Sequence, residues 1–73
     1  MKKDLTSLAD WKKEWRNSTD LKSLKQSLDH IDELYEQVRN SIGRVLMSAE
    51  MMEIQEILEE KIDQLMTKDK IAA

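Results

Sequence analysis

Residues 21–46 read LKSLKQSLDHIDELYEQVRNSIGRVL and contain the strongest structural signal in the chain. Apolar side chains recur here in alternating steps of three and four, a period of 3.5 residues that is typical of helices packed at a shallow angle. We call these eight positions the seam: Leu21, Leu24, Leu28, Ile31, Tyr35, Val38, Ile42 and Val45. The pattern predicts one long helix over about residues 19–46, with Leu34 and Leu46 widening its apolar stripe.

One glycine, Gly43, lies inside this pattern. Ile42 and Val45 keep the spacing of the seam on both sides of it. A glycine within a helix costs about 1 kcal/mol relative to alanine, which a well-packed helix tolerates. The sequence therefore favours a helix that continues through Gly43.

The break is expected at residues 47–50 instead. Ser48 is a favourable capping residue, and Glu50 supplies the acidic first turn that a new helix prefers. The apolar spacing also changes phase here, and it predicts a further helix over about residues 48–68. A helix that runs unbroken through Gly43 and Ser48 is the alternative, and it would form a coiled-coil dimer.

The N-terminal part of the chain predicts a short helix over about residues 4–16. Its apolar side chains recur at spacings of three, three and four, which places them on one helix face. They are Leu5, Leu8, Trp11 and Trp15. Residues 17–20, Asn-Ser-Thr-Asp, all have side chains that compete for backbone hydrogen bonds. This segment should therefore end the first helix and cap the second.

These predictions add up to an all-α fold in one helical domain, residues 1–73: a short N-terminal helix followed by a long antiparallel helical hairpin. The composition agrees, because the chain has no proline and a single glycine. A chain of 73 residues is near the size at which a lone core is only marginally stable. Two facing helices also cover only one seam, so we expect the hairpin to close into a bundle with a second chain, most simply as a homodimer.

Catalytic chemistry is not indicated by any residue pattern in the chain. His30 is the only histidine, and the spacing places it on the solvent side of its helix. Asp29 and Glu33 could join it only in a weak surface metal site. No glycine-rich loop is present to hold a phosphate, and so small a bundle leaves little room for a substrate pocket. We therefore expect no enzyme activity, no catalytic residue, no cofactor and no metal.

Residues 11–16, WKKEWR, combine two indoles with basic side chains. Trp11 and Trp15 could clamp the first helix onto the hairpin core, which is the default interpretation of indoles at helical spacing. They could instead anchor a partner protein, since tryptophan is enriched at interface hot spots. The third interpretation is contact with a membrane surface or nucleic acid.

The methionines offer a second candidate for partner contact. Met51 and Met52 are adjacent and cannot face the same way, so one of them should be exposed. Methionine fills gaps in ordinary cores, but a methionine surface also adapts easily to a partner helix. The predicted partner-binding residues are Trp11, Trp15, Leu34, Met51, Met52 and Ile57.

The leading functional hypothesis is a small protein-interaction module, such as an adaptor, co-chaperone or assembly factor. It would pack its helices against a partner protein or a second copy. The alternative is a dimeric nucleic-acid-binding regulator that uses the basic first third of the chain. Its candidate contacts are Lys12, Lys13, Arg16, Lys22 and Lys25. The net charge of −3 disfavours this alternative, because affinity for nucleic acid comes mainly from neutralised phosphates.

The chain has no cysteine, which fits a reducing compartment. Lys2 and Lys3 are not followed by the apolar run of a signal peptide. No apolar run is long enough to span a membrane. These features predict a cytoplasmic protein without a membrane span.

Overall fold

A computed structural model describes the backbone of residues 5–72 and the side chains of residues 5–67. Within these residues the chain forms four α-helices and no strand. The helices are α1 (Leu8–Asn17), α2 (Leu21–Asp29), α3 (Ile31–Ile42) and α4 (Ser48–Ala72). The predicted all-α class is confirmed for the described part of the chain.

A serine cap determines where α1 begins. The Ser7 hydroxyl oxygen accepts a hydrogen bond from the Asp10 N–H at 3.2 Å, which satisfies one of the free donors at the helix N-terminus. Residues 5–7 precede the helix, and Asp4 lies outside the described residues. α1 therefore begins at Leu8, later than the predicted start near residue 4.

The segment between α1 and α2 ends one helix and caps the next, as predicted from residues 17–20. The Ser18 N–H donates to the Trp15 carbonyl oxygen at 3.2 Å at the end of α1. The Asp20 carboxylate accepts from the Ser23 N–H at 3.3 Å at the start of α2. Both boundaries use local hydrogen bonds, which is why the sequence alone could locate them.

The single long helix predicted over residues 19–46 is wrong, because the chain bends at His30. This residue has φ −112° and ψ 47°, outside the helical region, and separates α2 from α3. Its N–H donates to the Gln26 carbonyl oxygen, and its carbonyl oxygen accepts from the Leu34 N–H, both at 3.0 Å. Beyond this residue α3 buries apolar side chains of its own, including Val38, which is fully buried.

The continuous helix expected through Gly43 is also wrong, since α3 ends at Ile42. Gly43 has φ 76° and ψ 21°, a left-handed conformation that glycine adopts without the steric penalty of a Cβ atom. Its N–H donates to the Arg39 carbonyl oxygen at 2.9 Å and closes the last turn of α3. This local preference of glycine outweighs the apolar spacing that Ile42 and Val45 maintain.

α4 begins at Ser48, where the sequence predicted a new helix, and its backbone continues to Ala72, beyond the predicted end near residue 68. Ser48 is the first residue of the helix rather than the residue that caps it, so the predicted capping role is wrong. The N-terminus of α4 is capped by Glu50, whose carboxylate accepts from the Met47 N–H at 2.9 Å. The same carboxylate accepts two hydrogen bonds from the Arg44 guanidinium, at 2.9 and 2.6 Å. Glu50 thereby joins the start of α4 to the preceding loop.

The other helices are arranged around α4, which packs mainly against α1 and α2. α1 runs in the same direction as α4, because Lys12 forms an ion pair with Glu53 and Arg16 shares a cavity lining with Glu60. α3 follows α2 directly in the chain, contacts α1 and reaches α4 through Tyr35. The arrangement is compatible with the predicted hairpin, with its first arm divided into α2 and α3.

Ten apolar side chains form the buried core, and all four helices contribute to it. They are Leu8, Trp15, Leu24, Leu34, Val38, Leu46, Ile54, Ile57, Leu58 and Ile62. Of the eight seam residues, two belong to this core, five are only partly buried against it, and Val45 is exposed. A single copy of the chain therefore covers its seam incompletely.

Candidate protein-interaction surface

Four large apolar side chains are exposed among the described residues: Val45 (72%), Met47 (66%), Met52 (69%) and Met66 (45%). Three of them occur within residues 45–52, in the loop between α3 and α4 and the N-terminal part of α4. We call Val45, Met47 and Met52 the turn patch. A group of exposed apolar side chains on a small protein is typical of an interaction site.

A groove between α3 and α4 lies beside the turn patch and shares Val45 with it. Its cavity volume is about 360 Å³. We call it the α3–α4 groove, and its lining consists of Asp32, Tyr35, Glu36, Arg39, Val45, Leu46 and Met51.

A hydrogen bond connects the two walls of the α3–α4 groove. The Tyr35 hydroxyl donates to the Met51 carbonyl oxygen at 3.0 Å. Burial raises the pKa of this hydroxyl above its ordinary value of 10, and the nearby carboxylates of Asp32 and Glu59 raise it further. Tyr35 is therefore neutral at physiological pH and acts as a donor that ties α3 to α4.

The surroundings of the groove are acidic. Asp32 and Glu36 belong to its lining, and Arg39 is the one cation there among the described side chains. Glu59, an exposed residue of α4, is close enough to act on Tyr35. Further along α4 the exposed face is also acidic, with Glu56, Glu60 and Asp63. A ligand of this region would therefore meet an apolar floor with negative charge around it.

Three of the six predicted partner-binding residues lie in the core rather than at the surface. Trp15, Leu34 and Ile57 are all buried, so in this fold their side chains stabilise the interior. This placement corrects the expectation that they form an accessible contact surface. For Trp15, it agrees with the interpretation that the indoles clamp the first helix onto the core.

Trp11 also contributes to packing, although it is only partly buried. Its indole N–H donates to the Ser41 hydroxyl oxygen at 3.2 Å. Its ring lies 5.6 Å from that of Trp15, at an interplanar angle of 39°, a separation typical of interacting aromatic rings. The Ser41 hydroxyl in turn donates to the Leu5 carbonyl oxygen. Trp11 thus connects α1 to the end of α3.

The structure brings the two predicted methionines to the candidate surface. Met52 is exposed and belongs to the turn patch, whereas Met51 is half-buried and lines the groove. This difference confirms the prediction that one of the two adjacent methionines is exposed. The pair therefore connects the floor of the groove with the exposed start of α4.

The five predicted nucleic-acid contacts do not form one free basic surface. Lys12 is half-buried and paired with Glu53, and Arg16 lies near Glu60 in a separate cavity of about 230 Å³. Lys13, Arg16, Lys22 and Lys25 are exposed on α1 and α2. Four of the five predicted side chains are therefore exposed, with Glu60 beside Arg16 in the same cavity lining.

Sequence reasoning missed Tyr35, Val45, Leu46 and Met47 as surface or groove residues. Val45 keeps the spacing of the seam, which predicted that it packs within a helix. The signal that could have corrected this is Gly43, because a chain that leaves the helix there frees the next apolar side chains from its register. Met47 lies in the predicted break at residues 47–50, so the same argument would have predicted that its side chain is exposed.

Two negative observations apply to the described part of the chain. No group of three or more His, Asp or Glu side chains is placed to hold a metal ion. None of the helices combines the length and the apolar character that crossing a membrane requires.

No family model, no curated protein and no solved structure matches the chain. The interpretation of the surface therefore depends on its own geometry.

Proposed function

We propose that this chain is a small protein-interaction module, such as an adaptor, co-chaperone or assembly factor. It acts by packing its helices against a helical segment of a partner or of a second copy. The observation that carries the proposal is the turn patch of Val45, Met47 and Met52, next to an apolar groove. We also propose a cytoplasmic location, because the absence of cysteine fits a reducing compartment.

The energetic argument concerns the exposed apolar area. Burying a Val or Met side chain completely contributes on the order of 1.5–3 kcal/mol, and each residue of the turn patch is about two-thirds exposed or more. Covering all three would therefore supply several kcal/mol toward association. Two of the three are methionines, whose flexible side chains can adapt to the shape of a partner.

Photo-crosslinking in the cells that produce the protein tests this proposal. A photoreactive amino acid replaces Val45, which is exposed, and in a separate variant it replaces Lys22, an exposed residue of α2. We expect adducts of discrete mass from position 45 and none from position 22. An adduct of about twice 8.6 kDa would identify a second copy, and other masses would identify a partner.

Specificity is checked by a matched pair of substitutions in the position-45 probe. Met52→Glu adds a charge to the turn patch, whereas Met66→Glu makes the same change at an exposed methionine further along α4. Glutamate is a good helix former, so both variants should keep their helices. We expect Met52→Glu to abolish the adducts and Met66→Glu to preserve them. The absence of any adduct from position 45 would refute the proposal.

The nucleic-acid-binding alternative has less support. Lys13, Arg16, Lys22 and Lys25 are exposed, but Lys12 pairs with Glu53 and the exposed face of α4 is acidic. Binding to nucleic acid would be strongest at low salt, where phosphate contacts contribute most. A gel shift at low salt therefore decides this alternative, and no retardation would exclude it.

A further inference from the structure

We infer that the α3–α4 groove binds a basic amphipathic helical segment of another protein. An apolar side chain of that segment enters the groove, and its flanking Lys or Arg side chains face Asp32, Glu36 and Glu59. This inference rests on the proposed function and names the chemistry of the partner.

The size of the groove suits one short helical segment. Its volume of about 360 Å³ is near the lower end of the range for ligand sites, about 300–1,000 Å³. Its α3 wall extends from Asp32 to Arg39, about 10 Å at 1.5 Å per residue, or two helical turns. The apolar contacts available within that length are Tyr35, Leu46 and Met51, with exposed Val45 at one end.

The charges around the groove select a basic partner. Asp32 and Glu36 are exposed residues of its α3 wall, and Glu59 is an exposed carboxylate of α4 outside the lining. The positive charge of Arg39 offsets one of these three negative charges. The remaining negative charge attracts Lys and Arg side chains and repels acidic segments, which determines specificity and the rate of encounter.

A second copy of the chain is a poorer occupant of this groove. Among the described side chains, the exposed large apolar residues all fall between Val45 and Met66, on the acidic half of the molecule. The exposed lysines of α1 and α2 would match the groove in charge but bring no exposed apolar anchor. A basic amphipathic segment of another protein supplies both an exposed apolar anchor and flanking positive charge.

The inference is tested with two synthetic helical peptides that share leucines at positions i, i+4 and i+7. One carries Lys and Arg beside the leucines, and the other carries Glu at the same positions. Fluorescence anisotropy with the full chain measures both affinities at low and moderate salt. We expect the basic peptide to bind at least tenfold more tightly, with an affinity that decreases as salt increases. Equal binding of both peptides would overturn the inference.

Charge substitutions on α3 provide the matched control. Glu36→Lys reverses a charge in the groove lining, and Glu33→Lys makes the same change on the same helix, where the side chain lines a different groove beside His30. We expect Glu36→Lys to weaken the basic peptide about tenfold and Glu33→Lys to leave it within about twofold. If both variants weaken binding equally, the effect is one of overall charge, and this result would contradict a specific site in the groove.

An apolar substitution gives an independent test if Glu36→Lys proves unstable. Val45→Ser changes an exposed residue at the end of the groove, and Met66→Ser changes an exposed residue outside it. We expect binding of the basic peptide to fall about fivefold in the first variant, since part of the apolar contact is lost, and to persist in the second. Unchanged binding in Val45→Ser would contradict the inference.

The crosslinking experiment separates failure of this inference from failure of the proposed function. Adducts from position 45 that contain an acidic or neutral segment, or a second copy, would refute the basic-partner inference and leave the proposed function standing. Adducts that map to a basic amphipathic segment support both. No adduct at all would refute the proposed function itself.

Discussion

The Tyr35 hydroxyl in α3 donates a hydrogen bond of 3.0 Å to the Met51 carbonyl oxygen in α4. It is a side-chain to backbone hydrogen bond between the two helices that line the α3–α4 groove. This bond therefore ties one wall of the groove to the other. The groove that we propose as a docking site depends on the position of one phenol.

Removing that hydroxyl should lower the stability of the fold slightly, while the aromatic ring remains in the lining of the groove. Tyr35→Phe is expected to lower the free energy of unfolding by about 1 kcal/mol, the usual contribution of such a hydrogen bond. Urea denaturation followed by circular dichroism measures this change. A variant as stable as the parent chain would show that the bond to Met51 does not form in solution.

The two tryptophans should respond differently to truncation. Trp15→Ala removes a buried core side chain and is expected to cost about 3–5 kcal/mol, which is comparable to the whole stability of so small a domain. This variant should therefore be largely unfolded by circular dichroism. Trp11→Ala removes a partly buried ring and should lose less. Equal stability of the two variants would contradict the placement of Trp15 in the core.

Substitutions at Gly43 should follow backbone preference alone. The residue has φ 76°, and no heavy atom lies within 4 Å of the position that a Cβ atom would take. Gly43→Ala should therefore cost about 1–2 kcal/mol through backbone strain, Gly43→Asn less, and Gly43→Val more. Thermal unfolding of the three variants gives the order. If alanine is tolerated without loss, the helix continues through this residue as the apolar spacing had suggested.

The Glu50 carboxylate should make stability depend on pH in the acidic range. The hydrogen bonds from Arg44, and then the N–H of Met47, lower the pKa of Glu50 to about 2. A glutamate of the unfolded chain titrates near 4.3, so the ionised group stabilises the fold above about pH 4.3. That contribution is lost progressively as the pH falls toward about 2.

Glu50→Gln tests this contribution. The urea midpoint of the parent chain should decrease more steeply between about pH 5 and pH 2 than that of the variant. Glu56→Gln, which changes an exposed glutamate of α4, is the control and should keep the parental pH dependence. Parallel curves for the parent chain and Glu50→Gln would show that the interaction with Arg44 is absent in solution.

The sequence predicted the structural features that depend on neighbouring residues. The all-α class follows from the composition and the helical spacing, and the cap at Asp20 follows from local side-chain chemistry. The start of α4 near residue 48 follows from the change of phase in the apolar spacing and from the acidic first turn at Glu50. The exposure of one of the two adjacent methionines follows from helix geometry. For the candidate site, Met51 and Met52 were predicted, whereas Tyr35 and Val45 were not.

The two wrong helix boundaries have different causes. The end of α3 at Gly43 is a local effect, and the apolar spacing on both sides was given too much weight over the left-handed preference of glycine. The bend at His30 has no such local signal, because the residue is neither glycine nor proline and the seam continues across it. Beyond the bend, α3 buries Val38 and Leu34.

The sequence by itself determined that the chain is helical and where α2 and α4 begin, since periodicity and caps act over a few residues. Only the tertiary structure decided which apolar side chains are buried. Trp15 and Ile57 lie in the core, and Val45 is exposed, although all three occupy apolar positions of a helical pattern. The physical reason is that burial is a non-local property: it depends on which surfaces the folded chain brings together, and the area left uncovered remains for a partner.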